Sequence, residues 1–105
     1  VAVLGSACAA PPVELGWWGW LVSWTASDYY VVGGSGRVLS QRVYSILDGL
    51  RGRGLTLRVS TSDNLDEARN AMQGADVALT CGGATTSESF DRKSLRLDQE
   101  DFLVE

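Results

Sequence analysis

Apolar positions along the chain switch between two periods. Val1 to Leu4 form an unbroken apolar run that ends at Gly5, as a buried strand with a tight exit does. Residues 5–37 have no clean period and are rich in Gly, Pro and Trp. Leu39, Val43, Ile46, Leu47 and Leu50 then recur at i, i+4, i+7, i+8 and i+11, which is one face of a helix. The spacing predicts a helix over 39–51, stopped by "RGRG", where Gly52 or Gly54 suits the left-handed cap. Leu55, Leu57 and Val59 alternate with Thr56, Arg58 and Ser60, which predicts a strand at 55–59. Asn64 followed by Glu67 resembles a capping box, and Leu65, Ala68 and Met72 share one face, so a helix is predicted at 66–73. "ADVALTC" reads as another buried strand, at 76–81, running into Gly82 and Gly83. The tail "DQEDFLVE" can begin a third helix.

Strands alternating with helices indicate an α/β fold, a partial parallel sheet in β-α-β-α-β order with a long Trp/Gly-rich loop after the first strand. Two helices are too few to cover both faces of such a sheet. The expectation is a single partial α/β domain over 1–105, with a Trp-rich insertion at about 9–27, completed by more chain or by a partner. The sequence begins "VAVLG" without Met, so its natural start is expected upstream or removed.

Composition narrows the chemistry. The chain has 105 residues, 45% hydrophobic and 21% charged, which suits a folded domain. A net charge of −4, with basic residues scattered, gives no footprint for nucleic acid. The sequence contains no His, which excludes His-based triads, ligands and pH switches. Cys8 and Cys81 have no metal-ligand spacing; they read either as one bridge in an oxidising compartment or as two small buried hydrophobes, and the second is preferred. Neither a metal nor a cofactor is expected. No apolar run is long enough to cross a membrane.

Two segments stand out. "ELGWWGWLVSW" packs Trp17, Trp18, Trp20 and Trp24 into a short span. Each Trp buries on the order of 200 Å², with one edge suited to a wet interface. The four read as an anchor for a protein partner or membrane surface, as a roof over the unfinished sheet, or as a platform for sugar rings; a buried or partner-facing hook is preferred. "GGSGR", residues 33–37, precedes the expected first helix. Such a turn can cradle an anion on free N–H groups, or it can be a tight turn whose glycines take positive φ. The dinucleotide fingerprint is absent.

Four stretches in order, "VAVLGSACA", "DYYVVGGSGRV", "ADVALTCGG" and "SESFDRKSLRL", resemble the C-terminal α/β sandwich domain of glycoside hydrolase family three, the β-glucosidase family. There the matching stretches look like "VAVIGPNA", "GGGSGRV", "ADVAIVVVG" and "SEGYDRxxLxLP". The family's "LPGNQ" reads here "LDQED", without the Pro-Gly turn. The resemblance implies retaining hydrolysis of β-glucosides, with the nucleophilic Asp on a separate barrel domain. It also implies a secreted or organellar setting.

Glu88 matches the acid/base carboxylate that many members supply from the last of these loops. Retaining hydrolysis needs two carboxyl groups about 5–5.5 Å apart, one attacking and one passing protons. The acid needs a raised pKa, from apolar walls such as Phe90 or from the other carboxylate. Asp91 and Arg92 are expected to pair and fix the loop. Ser35, Gly36 and Arg37 border the cleft in the resembled family and are candidate ligand contacts. Without the resemblance, Glu88 reads as an exposed loop carboxylate. Two readings stay open: part of a β-glycosidase that is inactive without its barrel, or a non-catalytic subunit of a larger assembly bound through its Trp-rich loop.

Overall fold

The computed structural model describes residues 1–14 and 24–105. Trp17, Trp18 and Trp20 lie outside the described residues. Trp24 is described and is 44% exposed. The chain forms two compact units. One is Val1–Ala10, Tyr44–Gly83 and Leu97–Glu105; the other is Pro11–Val43 and Ala84–Arg96.

The first unit holds a three-stranded parallel sheet. Its strands are β1 (Ala2–Leu4), β2 (Arg58–Ser60) and β3 (Ala78–Thr80), in the order β2-β1-β3. All pairing is parallel, with Val3 opposite both Val59 and Leu79. The α/β reading with a parallel sheet therefore stands. The ladder runs on at both ends of β1. The Val1 amine donates to the Thr56 carbonyl at 2.8 Å. The Gly5 N–H donates to the Ser60 carbonyl at 2.8 Å, and the Cys81 N–H to the Leu4 carbonyl at 3.0 Å.

Only β1 is buried along its whole length. Ala2 and Leu4 meet Ala68 of α2 (Leu65–Met72), with Ala71, Ala75 and Phe102 closing the cluster. The core is built from small side chains, and a fully buried Leu contributes only about 1.5–3 kcal/mol. β3 departs from the sequence reading. Its three residues are exposed, and Val77 beside it is 58% exposed. It is an edge strand, and α2 packs over β1 and β2 instead.

The helices are shorter than the periodicity suggests. In place of a helix over 39–51 there is one at Ile46–Leu50, α1. Ser45 and Asp48 form a reciprocal capping box that starts the helix there, leaving Leu39 and Val43 of the apolar repeat outside it. Of the face Leu39, Val43, Ile46, Leu47 and Leu50, only Leu47 is buried, and Leu39 is 55% exposed. At α2 the Asn64 carboxamide oxygen accepts the N–H groups of Asp66 at 3.0 Å and Glu67 at 3.1 Å. Glu67 does not reach back to Asn64 but accepts from the Ser62 hydroxyl, so only half of that box forms. The tail forms α3 (Glu100–Val104), tied down by the Gly83 N–H donating to the Gln99 side-chain oxygen at 3.0 Å. Among the described residues no helix is long and apolar enough to cross a membrane.

The cysteines overturn their preferred sequence reading as two unlinked hydrophobes. Cys8 and Cys81 are joined in a disulfide, with Cα atoms 5.2 Å apart across 73 positions of sequence. Both are buried. Cys8 sits in the 3₁₀ turn Ser6–Ala9 that follows β1, and Cys81 directly follows β3. Because β1 and β3 are parallel neighbours, their exits emerge side by side, within disulfide reach. Nothing local in the sequence records that proximity.

A bridge closing a loop of this length restricts the unfolded chain by about 4 kcal/mol on the chain-entropy estimate. Cys8→Ala/Cys81→Ala, or reduction by dithiothreitol, is therefore expected to lower unfolding stability by about 2–5 kcal/mol. A urea titration with and without reductant measures it, and coincident midpoints would mean that the bridge contributes nothing.

Candidate functional site

The candidate site lies in the second unit, where two loops pair. The Gly33 N–H donates to the Thr86 carbonyl at 2.9 Å, and the Glu88 N–H donates to the Gly33 carbonyl at 3.1 Å. Gly33 and Ser87 thereby form an isolated parallel bridge. A Cβ on Gly33 would lie 2.8 Å from the Ser87 hydroxyl and 2.9 Å from the Thr25 carbonyl, so only glycine allows this approach. Gly34 has φ +93°, and a Cβ there would come within 2.8 Å of the Glu88 carboxylate.

Two of the sequence-predicted stretches therefore come together. Ser35 gives both of its donors to one oxygen of Glu88. Its N–H reaches Oε2 at 2.7 Å and its hydroxyl at 2.5 Å. The anion that "GGSGR" receives is thus a carboxylate of the same chain. No helix opens at Arg37, so the helix-terminus reading of this turn does not hold; the positive-φ reading holds at Gly34. A Cβ on Gly36 would meet the Val32 side chain at 3.4 Å rather than Glu88. Arg37 is turned inward, donating to the carbonyls of Trp24 at 3.2 Å and of Ala26.

Glu88 is exposed. The Ser35 hydroxyl, with the Ser35 N–H behind it, stabilises the charged form and holds the carboxyl below its usual range. In this chain alone the direction is opposite to that of an acid kept protonated. Phe90 is 60% exposed. Asp91 and Arg92 do not pair as expected. Arg92 donates instead to the Arg96 carbonyl, which closes the loop through the backbone. Ser89 takes φ +68°, so the turn after Glu88 is made by a residue outside the usual set for that region.

Asp28 was not singled out by the sequence. Its carboxylate accepts the N–H groups of Val13 at 2.5 Å, Tyr30 at 2.7 Å and Val31 at 2.8 Å. The last two form a local Asx turn, and "SDYY" carries that signal. The bond to Val13 has none. Beside the loop pair is an open depression of about 210 Å³, lined by Thr25, Ser27, Thr86, Ser87, Phe90 and Arg92 among others. Clustered hydroxyls with one aromatic ring and one guanidinium can hydrogen-bond a polyhydroxylated ligand.

Residues 1–105 match the model of the glycosyl hydrolase family 3 C-terminal domain. The chain belongs to this family. No curated protein and no solved structure matches it. In this family-three domain the paired loops at 33–37 and 84–96 hold Glu88 in a defined place. The candidate contacts Ser35 and Arg37 are held by the protein itself, through Glu88 and through carbonyls.

The lowered Glu88 pKa links to stability with a definite sign. A depressed carboxyl contributes in full above its unfolded value, ordinarily 4.5, and that contribution is lost as pH falls through the lower folded value. Glu88→Gln is expected to lower stability most at pH 7 and to converge with the wild type at acid pH, which flattens the acid limb. Chemical denaturation of both proteins between pH 3 and about 7 reads this out. Parallel acid limbs would contradict the Ser35 contact.

Proposed function

We propose that this chain supplies the acid/base carboxylate, Glu88, to a retaining β-glycosidase whose nucleophile lies on another domain. The observation that carries the reading is Glu88 itself. It occupies the "SESFDR" stretch of a family-three C-terminal domain and is fixed by its loop pairing rather than free to wander. The hydroxyl-lined depression beside it supports a sugar as the ligand class.

The chemistry needs two states of one carboxyl. Protonated, Glu88 gives its proton to the glycosidic oxygen while a nucleophilic carboxylate attacks the anomeric carbon. Ionised, it takes a proton from the water that then displaces the enzyme from the sugar. In the chain alone the Ser35 donors favour the ionised state. A nucleophilic carboxylate brought about 5–5.5 Å away would raise the Glu88 pKa by repulsion and by excluding water. Assembly with the nucleophile-bearing domain thus supplies both the attack and the acid. The alternative, a non-catalytic subunit of a larger assembly, draws its support from the exposed Trp24 and the exposed edge strand β3.

The isolated chain is expected to release no chromogenic aglycone from an aryl β-glucoside. In an enzyme that contains the nucleophile domain, Glu88→Gln is expected to lower turnover by about 10²–10⁴-fold, most for poor leaving groups. Azide, which needs no general base, should restore turnover with activated substrates. Undiminished activity of the Glu88→Gln enzyme on a poor leaving group would remove the acid/base reading and leave the accessory one.

A further inference from the structure

We propose that Ser35 is the positioning residue of Glu88 and that it divides the two carboxylate oxygens, Oε2 serving as the anchor and Oε1 as the proton-transfer atom. The inference rests on the acid/base reading of Glu88 and adds a residue and an atom assignment to it.

The geometry is specific to one oxygen. Both Ser35 donors converge on Oε2, at 2.7 Å from the amide nitrogen and 2.5 Å from the hydroxyl. Oε1 accepts no hydrogen bond from the described residues. An oxygen that already accepts two donors is the weaker base, so a proton added to Glu88 goes to Oε1. The backbone is tethered to the same loop, because the Glu88 N–H donates to the Gly33 carbonyl at 3.1 Å. Gly34 leaves open the space that the carboxylate fills. Side chain and main chain are therefore held by three consecutive residues, which fixes the direction of Oε1.

Charged neighbours do not compete for this role. Arg37, from the same loop as Ser35, is directed to the Trp24 and Ala26 carbonyls. Arg92, on the Glu88 loop, is directed to the Arg96 carbonyl. Among the described residues Asp91 forms no ion pair with Arg92. The perturbation of Glu88 comes from the Ser35 hydroxyl and amide, opposed by slight desolvation, with no charged side chain contributing.

The steps balance on this assignment. As the glycosidic C–O bond breaks, the proton on Oε1 passes to the departing oxygen and its electron pair stays on Glu88. The two Ser35 donors stabilise that new charge through Oε2. In the second step Oε1 takes a proton from water as the water oxygen bonds to the anomeric carbon and the carboxylate nucleophile leaves.

Two measurements test it. In the 105-residue chain, carboxyl-carbon NMR follows the Glu88 titration in wild type, Ser35→Ala and Ser35→Thr. The expectation is an upward shift in Ser35→Ala and a wild-type value in Ser35→Thr, which keeps a hydroxyl donor. If Ser35→Ala fails to fold, the wild-type Ser35 amide serves instead. Its proton shift should follow the same titration and lose it in Glu88→Gln. In the enzyme with its nucleophile domain, Ser35→Ala should move the basic limb of kcat/KM to higher pH. It should also lower kcat by roughly 10- to 100-fold with KM little changed, and Ser35→Thr should recover most of the loss. A Glu88 titration that ignores Ser35→Ala overturns the anchoring. A titration that moves, in an enzyme whose turnover ignores Glu88→Gln, overturns the catalytic role and the acid/base reading together.

Discussion

Hydrogen bonding on both edges of one strand organises the sheet-bearing unit. β1 is three residues long, fully buried, and the shared partner of β2 and β3. Neither outer strand has another strand partner among the described residues, so losing β1 would dissolve the sheet. The core around it is small, made largely of alanines with Leu4 and Phe102. Such a core cannot offset much chain entropy by burial alone. The Cys8–Cys81 bridge compensates at the right place. It ties the exits of β1 and β3, shortly before the chain leaves this unit at Ala10 and Gly83.

Hydrogen bonds link the described loops of the second unit. Gly33 pairs with the 86–88 segment, Asp28 gathers three backbone N–H groups, and Ser35 holds Glu88. A loop stabilised this way can present a carboxylate at a fixed position while leaving it exposed to solvent and to whatever docks against it. The same contacts set its electrostatics. Donors from Ser35 favour the anion, whereas a second carboxylate brought near would favour the acid. The working pKa of Glu88 is therefore a property of the assembled site.

The parallel α/β class was legible because it rests on period switching, which is local. The strands at 1–4, 55–59 and 76–81 appear close to their expected places, as does the helix at 66–73. The helix over 39–51 failed because apolar spacing does not locate a start, whereas the Ser45–Asp48 box does. The burial of β3 was misjudged because an apolar run does not distinguish a central strand from an edge. The disulfide was the less favoured of two readings for a different reason: it depends on which strands become neighbours, a fact of topology. Glu88 and Ser35 were each picked out from a resemblance, Glu88 for catalysis and Ser35 for ligand contact. Their contact with each other spans 53 positions and no local pattern encodes it.

The central claim is that Glu88 faces a nucleophile across a sugar. A crystal structure of the chain joined to its nucleophile-bearing domain, with a cationic glucose mimic bound, tests this most directly. The expected result is a Glu88 carboxyl about 5–5.5 Å from the nucleophilic carboxyl, with one oxygen on Ser35 and the other on the glycosidic position of the mimic. A Glu88 carboxyl pointing into solvent, with another acid at that position, would contradict it.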